Sequence, residues 1–205
     1  MRSKSSAQWL QRQHADPFTE RSKKEGYRSR AVYKLIEIQE KDKLVSQGMQ
    51  LVDLGAAPGS WSQLVSQWVG KHGRVIALDI LEMAPIKNVE FIQGDFREII
   101  VLEQLDKILN NKTLDLVISD MAPNLSGVPG IDQPRMFYLA EYALEFVNKK
   151  LKKGGNFLIK VFQGEGFQEY MTQLRQVFCT VSVRKPKASR SESRELYLLA
   201  KNFRG

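Results

Sequence analysis

The sequence holds a single cysteine, two histidines and no long apolar run. Cys179 on its own forms no internal disulfide, which points to a reducing compartment rather than a secreted protein. It lies in "VFCTVSV", which reads as a buried strand. His14 and His72 are far apart in sequence and no cysteine cluster accompanies them, so no metal site is expected. No stretch approaches the ~20 apolar residues of a membrane span, and no membrane partner is expected. The opening "MRSKSSAQWLQRQHADPF" lacks the apolar core of a signal peptide, and its acidic and aromatic residues fit a transit peptide poorly. A cytoplasmic location follows as the expectation.

What is present is an ordinary globular composition of 205 residues, 42% apolar and 26% charged, enough for one well-buried α/β domain. Neither a repeat nor a break in composition interrupts it, so residues 1–205 read as one domain with a basic N-terminal extension over residues 1–30. The net charge of +8 is uneven. Residues 1–34 hold nine Lys/Arg against three Asp/Glu, residues 184–205 seven against two, and the remainder fifteen against eighteen. Basic ends around a slightly acidic body form a footprint for a polyanion, here a nucleic acid.

Along the chain, "MQLVDLG" (49–55), "GRVIALDI" (73–80), "VEFIQGDF" (89–96), "LDLVISDMAPN" (114–124) and "GGNFLIKVF" (154–162) read as strands alternating with helices. A long loop, "NLSGVPGIDQP", is expected before a helix from about Arg135 to Leu151. Two more strands, "FCTVSVRK" and "ESRELYLLAKNF", close the chain around the loop "RKPKASRSESR". The alternation implies an α/β fold with a mostly parallel, doubly covered sheet.

In such a sheet ligands bind beyond the carboxyl ends of the strands. Asp53, Asp79 and Asp120 stand at three of those ends, and Asp95 follows a fourth strand in "QGDF". The turn "DLGAAPGSW" (53–61) brings backbone close to a ligand, with Gly55, Pro58 and Gly59 as candidate contacts. It departs from G-x-G-x-x-G because Ala57 and Ser60 replace the second and third glycines, which argues against a pyrophosphate. A cationic ligand without phosphates fits better, and S-adenosyl-L-methionine meets that description. Asp79 would accept from its ribose hydroxyls, Asp95 from the adenine amino group opposite the Phe96 amide, and Asp53 and Asp120 would flank the methionine end.

Lys160 is the oddity of the fifth strand. Phe157, Ile159 and Val161 face one side, and Lys160 shares the other with Leu158 and Phe162. It is either a lysine snorkelling from an edge strand or a functional charge.

"DPFTERSKKEGYRSRAVYKLIEI", "LVDLGAAPGSWSQ", "GDF", "SDMAPNLSG", "GGNFLIKVFQGEG" and "KPKASRSESRELYLLA" occur here in one order and spacing. In these segments, from about Asp16 to Ala200, the chain resembles the FtsJ/RlmE family of ribosomal RNA 2′-O-ribose methyltransferases. The resemblance implies a Rossmann-like S-adenosylmethionine-dependent methyltransferase fold, with a seven-stranded sheet whose final strand is antiparallel. It implies a catalytic tetrad of Lys34, Asp120, Lys160 and Glu195, and cofactor contacts at Gly59, Trp61, Asp79, Asp95 and Asp120; for Trp61 a core position is the alternative. The implied substrate is a uridine of 23S ribosomal RNA in the large subunit; the sequence shows little sign of an apolar interface stripe, so a monomer is expected. A tRNA or mRNA-cap enzyme with the same tetrad, or a non-catalytic ribosome assembly factor, are the other readings.

The chemistry agrees with that implication. The ribose hydroxyl must lose its proton to attack the sulfonium methyl, and a lysine receives it only in its neutral form. Desolvation and a neighbouring cation favour that form, and carboxylates oppose it. Lys160 is therefore the expected proton acceptor, with Lys34 and Glu195 positioning the ribose. Pyrimidine C5 methylation would need a reactive cysteine, and exocyclic-amine methylation a D/N-P-P-Y/F motif where this chain has "SDMAPN". RNA contacts are expected from Arg2, Lys4, Arg12, Arg21, Lys23, Lys24, Arg28 and Arg30, and from Arg184, Lys185, Lys187, Arg190 and Arg194. Trp9, Phe18 and Tyr27 are candidate stacking surfaces.

Overall fold

In a computed structural model, which describes residues 16–124, 126–190 and 193–205, two helices precede the sheet: α1 (Pro17–Lys24) and α2 (Val32–Asp42). Then follow β1 (Gln50–Leu54), α3 (Ser60–Val69), β2 (Arg74–Asp79), β3 (Val89–Gln93), α4 (Ile99–Leu109) and β4 (Leu114–Ser119). The chain closes with α5 (Pro129–Lys150), β5 (Leu151–Phe162), α6 (Phe167–Val177), β6 (Phe178–Arg184) and β7 (Glu195–Phe203). Arg2, Lys4, Trp9, Arg12 and His14 lie outside the described residues.

The seven strands form one sheet in the order β3-β2-β1-β4-β5-β7-β6. β1 to β5 pair in parallel, and β7 runs antiparallel to both β5 and β6. This is the expected Rossmann-like sheet with an antiparallel last strand. Period-two alternation builds two cores. Val52, Ile76, Val117 and Ile159 pack under α4, α5 and α6, while Leu51, Val75, Leu116 and Leu158 pack under α2 and α3. Strands buried on both faces are the near-continuous apolar runs seen in the sequence. Among the described residues, no helix is long and apolar enough to cross a membrane.

Three expectations need correction. α5 starts at Pro129, not near Arg135. The Asp132 carboxylate accepts from the Ser126 amide and hydroxyl (2.7 and 2.8 Å) and from the Gly127 amide (2.9 Å), folding this segment into the helix start. Proline suits a first helical position because its missing N–H would be unpaired there anyway, so the prolines that look like loop residues do not exclude helix. Cys179 is exposed: β6 is an edge strand, and the residue next to the buried Phe178 points away from the core. Lys160 is not on an edge, because β5 lies between β4 and β7, so the edge-strand explanation of its charge does not apply.

Phe157 is fully buried on β5 and its ring stacks on Phe178 at 6.4 Å between centroids. Phe157→Ala is expected to lower the unfolding free energy by about 3–5 kcal/mol. Urea denaturation followed by circular dichroism measures it, and a loss under about 1 kcal/mol would show the site collapsing instead of leaving a cavity.

Candidate active site

The register of β7 on β5 assembles the polar cluster. Lys160 pairs with Tyr197 and Phe162 with Glu195, so Lys160, Tyr197 and Glu195 project from the same face. Because β7 is antiparallel, its first residue lies at the carboxyl edge of β5. Ser119 pairs with Ile159, which sets Asp120, the next residue, beside Lys160. α2 packs on this face through Val32, Leu35 and Ile38 and carries Lys34 inward.

Lys160 Nζ is 3.1 Å from Asp120 Oδ1 and also donates to the Asp120 carbonyl oxygen. Lys34 Nζ is 2.6 Å from Glu195 Oε1 and 4.0 Å from Asp120 Oδ1. The four expected residues thus form one cluster, with 9% of the Lys160 side chain and 18% of the Asp120 side chain exposed. Two cations face two anions, so no buried charge is left unpaired.

Tyr197 was not among the expected site residues. Its hydroxyl donates to Asp120 Oδ1 at 2.6 Å and lies 3.4 Å from Glu195 Oε1. Burial, then the adjacent Asp120 and Glu195 charges, push the Tyr197 hydroxyl well above its ordinary value and keep it a donor. Ser189 Oγ donates to Glu195 Oε1 at 3.0 Å. Burial works to raise the Asp120 carboxyl, but the Lys160 and Lys34 charges and the Tyr197 hydrogen bond hold it below the ordinary carboxylate value.

Beyond β1 and β2 lies the acid-lined edge expected to take the cofactor. Asp53 is 1% exposed and accepts from Ser62 Oγ at 2.6 Å. Its carboxyl is raised to about 7, by burial first and then by the Asp120 and Asp79 charges, with Ser62 opposing. Three carboxylates close enough to repel one another suit a ligand carrying an ammonium and a sulfonium, which relieves that repulsion. Asp79 accepts from the Ala57 and Leu81 amides, each at 2.8 Å, and so fixes the Gly55–Gly59 turn against β2. Gly55 has φ +73°, and a Cβ there would come within 2.1 Å of Met121 Cγ, so this glycine admits the loop that follows Asp120. Beyond β3, where the adenine is expected, no backbone carbonyl among the described residues accepts from the Phe96 amide. These features fit S-adenosyl-L-methionine.

Other expected contacts are engaged by the protein itself. Asp95 is gripped by the Arg97 guanidinium, Nε lying 2.8 and 2.9 Å from its two oxygens, which holds the carboxyl below its ordinary value. Trp61 is 3% exposed, donates to the Ala31 carbonyl at 2.8 Å and packs on Tyr197. This is the core position rather than an open cofactor wall. Gly59 (φ +103°) faces Ile86, Met83 and Arg28 where a Cβ would stand, and Pro58 gives its carbonyl to Arg28 at 2.9 Å.

Several cations expected on the RNA surface are likewise turned inward. Arg184 forks onto Asp42 (2.8 and 2.6 Å) and Arg30 binds Asp16 and the Ala188 carbonyl, while Arg21 pairs with Glu25 yet stays exposed. Lys23, Lys24, Lys187, Arg190 and Arg194 remain exposed. Counting charges does not separate these two groups. Phe18 and Tyr27 pack against Tyr33.

The mostly parallel sheet in this strand order, with an antiparallel last strand, has the Rossmann-like methyltransferase fold. The sequence profile of the FtsJ-like methyltransferases matches residues 27–203, and the chain belongs to that family. Curated relatives named "Ribosomal RNA large subunit methyltransferase E" include those of Pseudomonas fluorescens, 56% identical over 100% of this chain and 98% of that one, and Neisseria meningitidis, 57% identical over 100% and 99%. A crystal structure of a Plasmodium falciparum protein assigned as a ribosomal RNA methyltransferase superposes with TM-score 0.80 at 33% identity, covering 87% of this chain and all of that one. Aeropyrum pernix fibrillarin, crystallised with natively bound S-adenosyl-L-methionine, shares the fold at 16% identity and TM-score 0.56, over 85% of this chain and 75% of that one.

The raised Asp53 carboxyl has a consequence for stability. Between its ordinary value near 4 and its folded value near 7, the folded protein holds a proton that the unfolded chain has released. The stabilisation is full below about pH 4 and is lost as pH rises through 7, a loss on the order of 4 kcal/mol. Asp53→Asn keeps an acceptor for Ser62 without the charge. Without cofactor, its stability relative to the unsubstituted protein should therefore rise from about pH 4 to pH 7 and level off above. Denaturant titrations across that range test this, and a difference independent of pH would refute it.

Proposed function

We propose that the chain transfers methyl from S-adenosyl-L-methionine to the 2′-hydroxyl of a uridine in 23S ribosomal RNA of the large subunit, working in the cytoplasm as one monomeric domain. The observation that carries this reading is the closed cluster of Lys160, Asp120, Lys34 and Glu195 at the sheet's carboxyl edge. A structural role alone gives no reason to bury two lysines and two carboxylates beside the cofactor edge. The ribosomal substrate is supported by the full-length relatives named for the large subunit.

In this reading Asp53 and Asp120 hold the ammonium end of the cofactor, Asp79 its ribose, and Asp95 with the Phe96 amide its adenine. The bound cofactor supplies an electrophilic methyl group on sulfur. Because that electrophile is already activated, alignment of the hydroxyl carries much of the acceleration. Lys160, once its Nζ has released a proton to solvent, takes up the proton of the 2′-hydroxyl as the oxygen attacks. Asp120 and Tyr197 fix the Nζ position: one Asp120 oxygen accepts from both Lys160 and Tyr197. Lys34, held by Glu195, orients the acceptor ribose from the α2 side. The exposed Lys23, Lys24, Lys187, Arg190 and Arg194 contact phosphates without reading sequence.

Lys160→Ala is expected to bind the cofactor and to lower the rate of transfer by about 10²–10⁴-fold. The assay is incubation with large subunits or naked ribosomal RNA, followed by nucleoside digestion and mass spectrometry for 2′-O-methyluridine. A base-methylated product, a product on tRNA or capped mRNA alone, or an unimpaired variant would overturn the proposal.

A further inference from the structure

Arg28 sits in the basic N-terminal run, yet its guanidinium is turned into the protein. Nη1 donates to the Pro58 carbonyl at 2.9 Å and to the Ala84 carbonyl at 2.7 Å, and Nη2 donates to the Pro85 carbonyl at 2.8 Å. Its partners are three backbone oxygens, and among the described residues no carboxylate forms an ion pair with it. Pro58 belongs to the turn that Asp79 fixes through the Ala57 amide; Ala84 and Pro85 belong to the segment between β2 and β3.

The contacts of Arg28 are part of a seam. Gln63 Nε2 donates to the Gly26 carbonyl at 3.0 Å, Ser29 Oγ and Ser60 Oγ lie 2.6 Å apart, and Trp61 Nε1 donates to the Ala31 carbonyl at 2.8 Å. Residues 26–31 are thus joined nearly residue by residue to residues 58–63. One side of the seam leads directly into α2 and Lys34. The other is the cofactor turn and the first residues of α3.

We propose that Arg28 is a positioning residue that locks the cofactor turn to the segment carrying Lys34, so that cofactor binding and acceptor binding reinforce each other. Its charge serves the fork of three carbonyls rather than an RNA phosphate. The fork sets the height of the Pro58–Gly59 backbone, and through residues 29–31 it sets the start of α2. A ligand that orders the turn thereby orders the helix bearing Lys34, and RNA bound against Lys34 orders the turn in return. By linkage the two affinities change by the same factor. The acceptor half of this coupling rests on the function proposed above; the cofactor half does not.

The test compares Arg28→Ala, Arg28→Lys and Ser29→Ala, each first checked by circular dichroism and thermal melting, with Lys187→Ala as a solvent-facing cation. Calorimetric titration with S-adenosylhomocysteine, in the absence of RNA, should show affinity weakened about tenfold in Arg28→Ala, the effect of losing one charge-assisted hydrogen bond or more. Arg28→Lys should fail to restore it, because a point-like ammonium does not span three carbonyls. Ser29→Ala, which removes one contact and leaves the fork, should shift affinity in the same direction by a smaller factor. Repeating the titration with ribosomal RNA present should show tightening in the unsubstituted protein and a smaller tightening in Arg28→Ala. The dependence of RNA affinity on salt should keep its slope in Arg28→Ala and lose about one charge's worth in Lys187→Ala. The proposal fails if Arg28→Ala leaves cofactor affinity unchanged, if Arg28→Lys restores it, or if the salt slope falls in Arg28→Ala. If no RNA binds at all, the functional reading fails while the cofactor arm still decides the role of the seam.

Discussion

Antiparallel pairing of β7 with β5 is the constraint on which the site depends. In the parallel part of the sheet, only strand ends and the loops after them reach the carboxyl edge. An antiparallel strand delivers its beginning there instead. Glu195 and Tyr197, the first and third residues of β7, are thereby set on the face of Lys160, with Tyr197 directly opposite it. A register slip of one residue would turn both to the opposite face. The Lys160 face also holds Leu158, Leu199, Trp61 and the apolar stripe of α2, so core packing and site assembly are specified by the same alternation.

Burying these charges needs compensation on every side. Taking a lysine or a carboxylate out of water costs several kcal/mol, and here each ion meets its opposite within a few ångströms. Tyr197 adds a neutral donor between the two carboxylates. Removing one member would leave its partner as an orphaned buried charge, so the cluster is coupled rather than additive. Asp53 is the contrasting case. It has a hydroxyl partner but no cation, and its carboxyl rises to about 7. The acid edge therefore divides into a satisfied half around Lys160 and a half around Asp53 that gains from a bound cation.

Legibility in the sequence followed the range of each interaction. Strands, their order of types and the acids at their ends are local patterns, and they were readable from period-two alternation and glycine turns. Lys160 stood out because a charge interrupted an apolar strand. Lys34 and Glu195 had no local signature and were identified only through resemblance. Tyr197 was missed although it is two residues from Glu195 on a strand, a spacing that puts both on one face. Cys179 was misplaced because nothing in "VFCTVSV" tells an edge strand from a central one. The start of α5 was misplaced because the Asp132 contacts to Ser126 and Gly127 look in sequence like loop chemistry.

The basic ends illustrate how charge composition divides on folding. Arg30 reaches the Ala188 carbonyl, the Lys187 amide donates to Glu37 at 2.7 Å, and Arg184 forks onto Asp42. The two basic regions, joined by contacts that span 142 to 158 residues of chain, are therefore tied into one surface beside α2. The arginines that make these ties are the better suited residue type, because a planar fork satisfies several acceptors at once. Most of the cations left facing solvent on that surface are lysines, whose compact charges suit non-specific phosphate contacts. Net charge alone made the footprint too large; the inward arginines reduce it and give it a fixed position relative to Lys34. In the proposed function, an RNA footprint held to Lys160 in this way places a ribose without reading the sequence around it.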